Sequence, residues 1–442
     1  MSRTFHNPIP TFDTLEEVIQ QYKAIYADAN PQQIITQWLE SCFSSSKMDI
    51  PSFAVQDYQM VLNFLYSYRG SFGTFGGYRR DLERLIQWSW FIRNKSLLSH
   101  KREDIEAFIE FCLNPPKRWI SLKKVAKFKK INGTKKPNPE WRPFEAYVSK
   151  EDHKEGIIPD KKNYQLSQPS LKVMFGILSS FYNYLIQEEV VQANPLALIR
   201  QKSKFLQTQV KTQVIRRLSN HQWETVLSLA KEKAFQDVTQ ERTVFILSCL
   251  YGMYLRISEL VASPRWTPTM GDFYKDSEEN WWFKTISKGN KARQIAVSDA
   301  MLNSLKQYRE NYLKLSPLPT PDEKTPLISH SKNPNKPIKD DRHIRHLVQI
   351  CFDEAADWLE SNGNQEEANT LRTTTVHWLR HTGISEDVKH RPREHVRDDA
   401  GHSSSAITDR YVDVELRERS KSAKNKTIDL TTIESPGPLL TP

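Results

Sequence analysis

The chain has 442 residues, more than one ordinary core can organise, so on the order of two or three domains are expected. Its 63 Lys and Arg outnumber 53 Asp and Glu, a formal charge of +10 that favours an anionic partner, nucleic acid first, without making the chain a polycation. Four widely spaced cysteines form no C-x-x-C pair, which argues against a zinc or redox site and for a reducing compartment. The start "MSRTFHNPIPTFDTLEE" lacks the apolar core of a signal peptide, and the run "VFILSCLYGMYL" is too short to cross a bilayer, so a soluble cytoplasmic protein is expected.

In chain order, the first fifty residues hold the helical patterns "LEEVIQQYKAIYA" and "PQQIITQWLESCF", free to dock on a neighbouring domain or to stand partly alone. From about residue 55, "DYQMVLNFLYSY", "YRRDLERLIQWSWFI" and "REDIEAFIEFCL" place bulky residues three or four apart and predict packed helices. Between Pro115 and Pro169 the pattern breaks, and "KRWISLKKVAKFKKINGTKK" carries nine basic residues and no acid. Like charges cannot form a core, so an exposed insertion or arm is expected there. Its Lys123, Lys124, Lys127, Lys129 and Lys130, flanked by Trp119 and Phe128, suit contact with phosphates, although such runs are as often simply solvated. Helical periodicity returns in "SLKVMFGILSSFYNYLIQEEV".

The polar, basic stretch "QKSKFLQTQVKTQVIRR" reads as a linker between domains. A second domain opens at "LSNHQWETVLSLA", with Asn220 as the expected helix cap, and continues through the apolar helix "ERTVFILSCLYGMYL". The runs "WWFKTI" and "ARQIAV", joined by "SKGNK", predict a β-hairpin. Helices are expected around "SDAMLNSLKQYREN" and "DRHIRHLVQICFDEAADWLE", which makes this domain mixed but mostly helical. The tail "TIDLTTIESPGPLLTP" is expected to be mobile or to pack only on a partner.

Taken singly, Arg256 at the end of a helix or Lys288 in a hairpin turn says little. His377 and Arg380, three apart, share a helical face that suits an anion better than a metal, because the ligand spacing and acidic partners of a metal site are missing. The set in order is more telling: "GMYLRISEL", "SKGNKAR", "HWLRHT", "AGH" and "DRY", with Tyr411 nine residues after His402. In these motifs the chain resembles the tyrosine recombinase, or phage integrase, family of DNA strand-exchange enzymes. The resemblance extends less specifically through "GTFGGYRRDLERLIQW" and "EEVVQANPLALIR", covering roughly residues 55 to 425. It departs in "SEDVKHRPREHVRDDAGH", where the family's apolar helices give way to charges, and a polar loop or partner surface is expected instead.

The resemblance implies a mainly α fold with a small β-hairpin or sheet, in which a helical core-binding domain and an α+β catalytic domain form a clamp around DNA. The organisation expected is an N-terminal helical extension over 1–50, a core DNA-binding domain over 51–202 with a basic insertion at about 115–169, a linker over 203–217, a catalytic domain over 218–425 and a tail over 426–442. Arg256 and Arg380 would clamp the phosphate, His377 would help move the proton of Tyr411, and His402 would hydrogen-bond a non-bridging oxygen. Lys288 would protonate the leaving 5′ oxygen, Tyr411 would be the nucleophile, and Glu259 would orient its basic neighbours. No metal or cofactor is implied. The partners implied are double-stranded DNA with inverted-repeat sites, further copies of the chain in a tetramer coupled through "VELRERSKSAKNKTIDLTTIE", and accessory recombination proteins, with a nucleoid-associated location and no membrane. The activity implied is cutting and rejoining DNA through a 3′-phosphotyrosine, to integrate, excise or resolve a mobile element. A type IB topoisomerase or a non-cleaving DNA-binding protein of the same fold is the alternative.

Overall fold

The computed structural model of the chain describes residues 7–44, 48–131, 133–149, 152–153, 156–197, 199, 205, 216–264, 266–287, 291–412 and 423–424. Most of the expected linker, Lys288, nearly all of the segment expected to couple subunits, and the tail lie outside them. The chain divides into two compact units, Met1–Lys211 and Thr212–Pro442. Both are mainly helical with small sheets, as the fold class anticipated. Among the described residues, no helix is long and apolar enough to cross a membrane and no group of His, Cys, Asp or Glu could hold a metal ion.

In the first unit the helices are α1 (Leu15–Ala27), α2 (Pro31–Phe43), α3 (Ala54–Ser67), α4 (Phe72–Trp88), α5 (Arg102–Leu113) and α6 (Gln168–Gln187). Starts are set by local chemistry: Thr14 caps α1, Asn30 caps α2 ahead of Pro31, and Ser167 caps α6. The N-terminal residues belong to the same core. Phe12 stacks on Tyr58 at 4.6 Å, and the amides of Thr11 and Phe12 donate to Glu83 Oε1 on α4 at 2.6 and 3.2 Å. Leu15, Val18, Ile35 and Leu39 are fully or almost fully buried, so of the two options left open for this extension, docking is the one adopted.

The basic insertion is not the exposed arm expected from its charge. It pairs β1 (Ile120–Ser121) in parallel with β4 (Phe144–Glu145), and β2 (Phe128–Ile131) antiparallel with β3 (Thr134–Pro137). Trp119, Phe128, Trp141 and Phe144 are buried, and the Arg84 guanidinium lies 4.7 Å over the Phe144 ring. Lys127 is removed from the expected phosphate-contacting set: its ammonium pairs with the buried Glu83 carboxylate and sits 5.0 Å from the Trp141 ring. A buried carboxylate demands such a partner, and that demand outweighs solvation of the lysine. Lys123, Lys124, Lys129 and Lys130 remain exposed.

The second unit contains α7 (Asn220–Gln236), α8 (Glu241–Gly252), the antiparallel sheet β5 (Phe273–Lys275), β6 (Trp281–Ser287) and β7 (Lys291–Ala296), then α9 (Asp299–Gln307) and the pair β8 (Ser329–His330) and β9 (Asn333–Pro337). Four helices follow, α10 (Asp341–Ser361), α11 (Gln365–Thr373), α12 (His377–Asp387) and α13 (Arg393–Ala400), and then the short α14 (Ser405–Asp409). Ser219, one residue before the expected Asn220, caps α7 through a reciprocal capping box with Gln222. The β6–β7 register pairs Ser287 with Lys291, so the predicted hairpin is present, with β5 as a strand the pattern did not announce. Helix α8 is buried nearly all round, and α12 packs against it at Gly383, where an added Cβ would lie 2.1 Å from the Tyr251 carbonyl oxygen. The four cysteines are unpaired and buried, and burial pushes every thiol up, Cys42 and Cys351 to about 12.

Candidate active site

Helix α8 stops at Gly252, and five residues later the chain enters a 3₁₀ turn, Ile257–Glu259, with Arg256 at its cap. Between them Tyr254 adopts φ +50°, a left-handed conformation that is rare for an aromatic residue and must be held by its surroundings. Glu259, 2% exposed, accepts the Arg256 amide at 2.8 Å and its Nη1 at 3.1 Å. Its two oxygens also take Arg293 Nη1 and Nη2 of β7 at 3.0 and 2.9 Å, a bidentate pair. Arg293 Nη1 further donates to Ser287 Oγ at 2.6 Å. The expected orienting carboxylate is therefore present. Its second guanidinium partner went unnoticed in the sequence, where "KAR" is one more basic hairpin end.

Helix α12 supplies the next groups. Arg380 is buried and donates to the Tyr254 and Ala400 carbonyls, one through each Nη. Burial and the neighbouring Arg256 and Arg293 push it down to about 9, still cationic at neutral pH. Arg256 and Arg293 pair with the single carboxylate of Glu259 and Arg380 lies near enough to feel its charge, so three guanidiniums against one carboxylate leave two net positive charges to attract an anion. Arg345 on α10 is near enough for its charge to act on His377.

The charged segment after Arg380 corrects the expectation of a polar loop. Residues 393–400 form α13, with Val396 and Ala400 buried. Gly401 ends it at φ +63°, and a Cβ there would meet Arg293 Cδ at 2.9 Å, so glycine is required both by the turn and by the arginine lying under it. His402 follows directly. Its Nδ1 lies 2.9 Å from Thr408 Oγ1, and its ring stacks on Tyr411 at 5.6 Å between centroids and 18° between planes. Ser404 holds the cap position of α14 and makes no side-chain capping bond.

Tyr411 is 8% exposed, and its hydroxyl lies 2.6 Å from His381 Nδ1. The group at the tyrosine hydroxyl is thus His381, not His377, to which the resemblance gave that task; His377 packs on the His381 ring at 4.4 Å and 78°. Position 381 follows Arg380 directly, and its chemistry was invisible because helix geometry alone does not say which histidine a tyrosine thirty residues later will meet. Burial, then His377 and Arg380, lower His381 to about 4. Burial, then Arg380, Arg256 and Arg293, lower His402 to about 4. His377 is lowered by partial burial and by Arg380, Arg256 and Arg345. Burial raises Tyr411, against the pull of Arg380, Arg256 and Arg410. A neutral imidazole can therefore accept the proton of a neutral tyrosine here, while the nearby cations favour the phenolate that would result.

No family model matches the chain. It is 24% identical over 267 residues, 60% of its length and 74% of the relative's, to the tyrosine recombinase XerC of Leptospira interrogans. Over 148 residues, 33% of its length, it is 26% identical to the tyrosine recombinase XerC of Pediococcus pentosaceus, of whose length it spans 43%. The chain is thus similar to curated tyrosine recombinases. Its fold is that of a tyrosine recombinase as well: the XerH site-specific recombinase, solved bound to a palindromic difH substrate as a post-cleavage complex, superposes with a TM-score of 0.50 at 13% identity, covering 93% of this chain and 97% of that one. Within this fold, Arg256, Arg380, His377, His402 and Tyr411 are brought together in one unit, with Glu259, Arg293 and His381 among them.

Proposed function

We propose that the protein is a site-specific recombinase that cuts and rejoins DNA strands through a covalent 3′-phosphotyrosine. The observation that carries this reading is the Tyr411 hydroxyl on His381 Nδ1, beside arginines whose charge exceeds that of their carboxylate partner. A phosphodiester repels anionic nucleophiles and gains charge on its non-bridging oxygens as it is attacked; Arg256 and Arg380 would take up that charge. The Tyr411 proton passes to His381, the phenolate oxygen bonds to phosphorus, and the 5′ oxygen leaves as a hydroxyl after taking a proton from Lys288, which the resemblance places there. In the tautomer in which the Thr408 hydroxyl donates to Nδ1, the proton of neutral His402 sits on Nε2, free to bond a non-bridging oxygen.

The phosphotyrosine stores the energy of the broken bond, so a 5′-hydroxyl from another duplex reverses the step without ATP. Inverted-repeat DNA, four protomers acting on two duplexes and accessory proteins fit this reading, as does a mobile element whose ends are integrated, excised or resolved. The hairpin β2–β3 supports a nucleic-acid partner independently: its register sets Lys129 opposite Lys136, a repulsive pair that a polyanion would relieve, whereas Lys135, opposite Lys130, is already paired with Asp13 and Glu17. The test is a nicked duplex carrying a site recovered from randomised DNA by denaturing capture of the adduct. Wild type is expected to give a denaturant-resistant protein–DNA species and Tyr411→Phe none; an adduct retained by the phenylalanine variant would mean another nucleophile.

A further inference from the structure

The charged stretch that replaces apolar helices between Arg380 and His402 is organised around one side chain. Arg391 Nη2 donates to Asp399 Oδ2 at 2.6 Å, and its Nη1 donates to Asp387 Oδ2 at 3.1 Å and to the Tyr254 hydroxyl oxygen at 3.0 Å. The Tyr254 hydroxyl in turn donates to Asp387. Asp399 Oδ1 accepts the Ala296 amide of β7 at 3.2 Å, and Tyr254 and Asp399 are buried. One guanidinium thus ties together the left-handed residue after α8, the end of α12, the end of α13 and the edge of the hairpin strand.

The two carbonyls that hold Arg380 belong to this same framework. One is that of Tyr254, whose φ of +50° aims it and whose hydroxyl is anchored by Asp387 and Arg391. The other is that of Ala400, next to the Asp399 that Arg391 grips. Neutral carbonyls fix the direction of a guanidinium without neutralising it, which suits an arginine that must meet a charged phosphate. Freed from Arg391, Tyr254 would lose one of the two hydroxyl contacts that hold its left-handed backbone, and α13 would lose its ion pair to the end of α12.

We propose that Arg391, acting through Tyr254 and Asp399, is a positioning residue that aims Arg380 at the scissile phosphate. This rests on the recombinase reading above and adds to it a task for a segment that the family's motifs do not cover. Arg380 acts on the phosphate's negative charge, so a substrate whose scissile phosphate is a neutral methylphosphonate has little need of it. Adduct formation is compared on phosphodiester and methylphosphonate duplexes for wild type, Arg391→Met, Arg391→Lys and Tyr254→Phe. Arg391→Met is expected to lose about tenfold or more on the phosphodiester and to come within about threefold of wild type on the methylphosphonate. Arg391→Lys and Tyr254→Phe should fall between, with the same recovery. Equal losses on both substrates, or no loss on the phosphodiester, would overturn the proposal. Guanidinium nuclear magnetic resonance supplies a readout independent of reaction: the Arg380 Nη protons, assigned with Arg380→Lys, are expected to be resolved in wild type and averaged by rotation in Arg391→Met. Unchanged resonances would also overturn it. A wild type that forms no adduct on any DNA, while those resonances average as expected, would sink the recombinase reading and leave the positioning of Arg380 standing.

Discussion

A histidine is an effective proton acceptor only while it is neutral, and burial beside His377 and Arg380 keeps His381 neutral down to about pH 4. Its lowered value extends the reactive form toward acid, so the acid limb of kcat/KM for adduct formation, which reports the free protein, is expected near pH 4. An ordinary histidine would place that limb near its unperturbed value of about 6.5. Replacing His381 with Asn, which keeps a polar group but accepts protons poorly, should slow the step about 10²- to 10⁴-fold and abolish that limb. Single-turnover rates across pH check both, and a limb near 6.5 in wild type would return the task to a less perturbed group. The order of residues made Arg256, Arg380, His402 and Tyr411 conspicuous, because each sits in a motif of fixed spacing. His381 and Arg293 were not legible, because their roles depend on contacts closed over about thirty residues of chain.

At the scale of elements, helices were the easiest to read, because apolar residues recur every three or four positions in α3, α4, α6 and α10. The insertion was misjudged, since its aromatic anchors are separated by lysines and its strands are short, so that neither period emerges. The carboxylate that claims Lys127 comes from α4, 44 residues earlier. The five lysines should therefore separate into two behaviours. Neutralising Lys123, Lys124, Lys129 and Lys130 together to Gln is expected to reduce the slope of log affinity for DNA against log salt by about 3 to 4. Lys127→Gln should leave that slope alone and, by stranding buried Glu83, lower the stability of the first unit by about 3–5 kcal/mol. Salt titrations and urea melts of the same variants check this; a salt effect from Lys127 alone would contradict its pairing.

Across the whole molecule, acid should be felt in the first unit as well as at the site. His100 is buried, lies 3.0 Å from Ser89 Oγ and 2.9 Å from the Tyr182 hydroxyl, and is lowered by burial to about 4. The unfolded chain takes up that proton near pH 6.5 and the folded chain only near 4, so the stability is whole above the first value and is lost as pH falls toward the second. The loss is on the order of 3 kcal/mol, and hydrogen exchange at the Leu97 and Tyr182 amides should reveal it between pH 6.5 and 4. His100→Gln should flatten that dependence; an unaltered profile would assign the acid sensitivity elsewhere. Apolar periodicity and the family resemblance pointed to the mainly helical class and charge to an anionic partner, while a buried histidine between two hydroxyls is a product of tertiary packing that no local pattern announces. The four deeply buried, protonated cysteines have a practical corollary at this scale. Thiol-directed dyes will pass over the native chain, so cysteines introduced at an exposed position in each unit, such as Ile158 and Phe235, would be labelled against a silent background and would report whether the distance between the two units responds to added DNA.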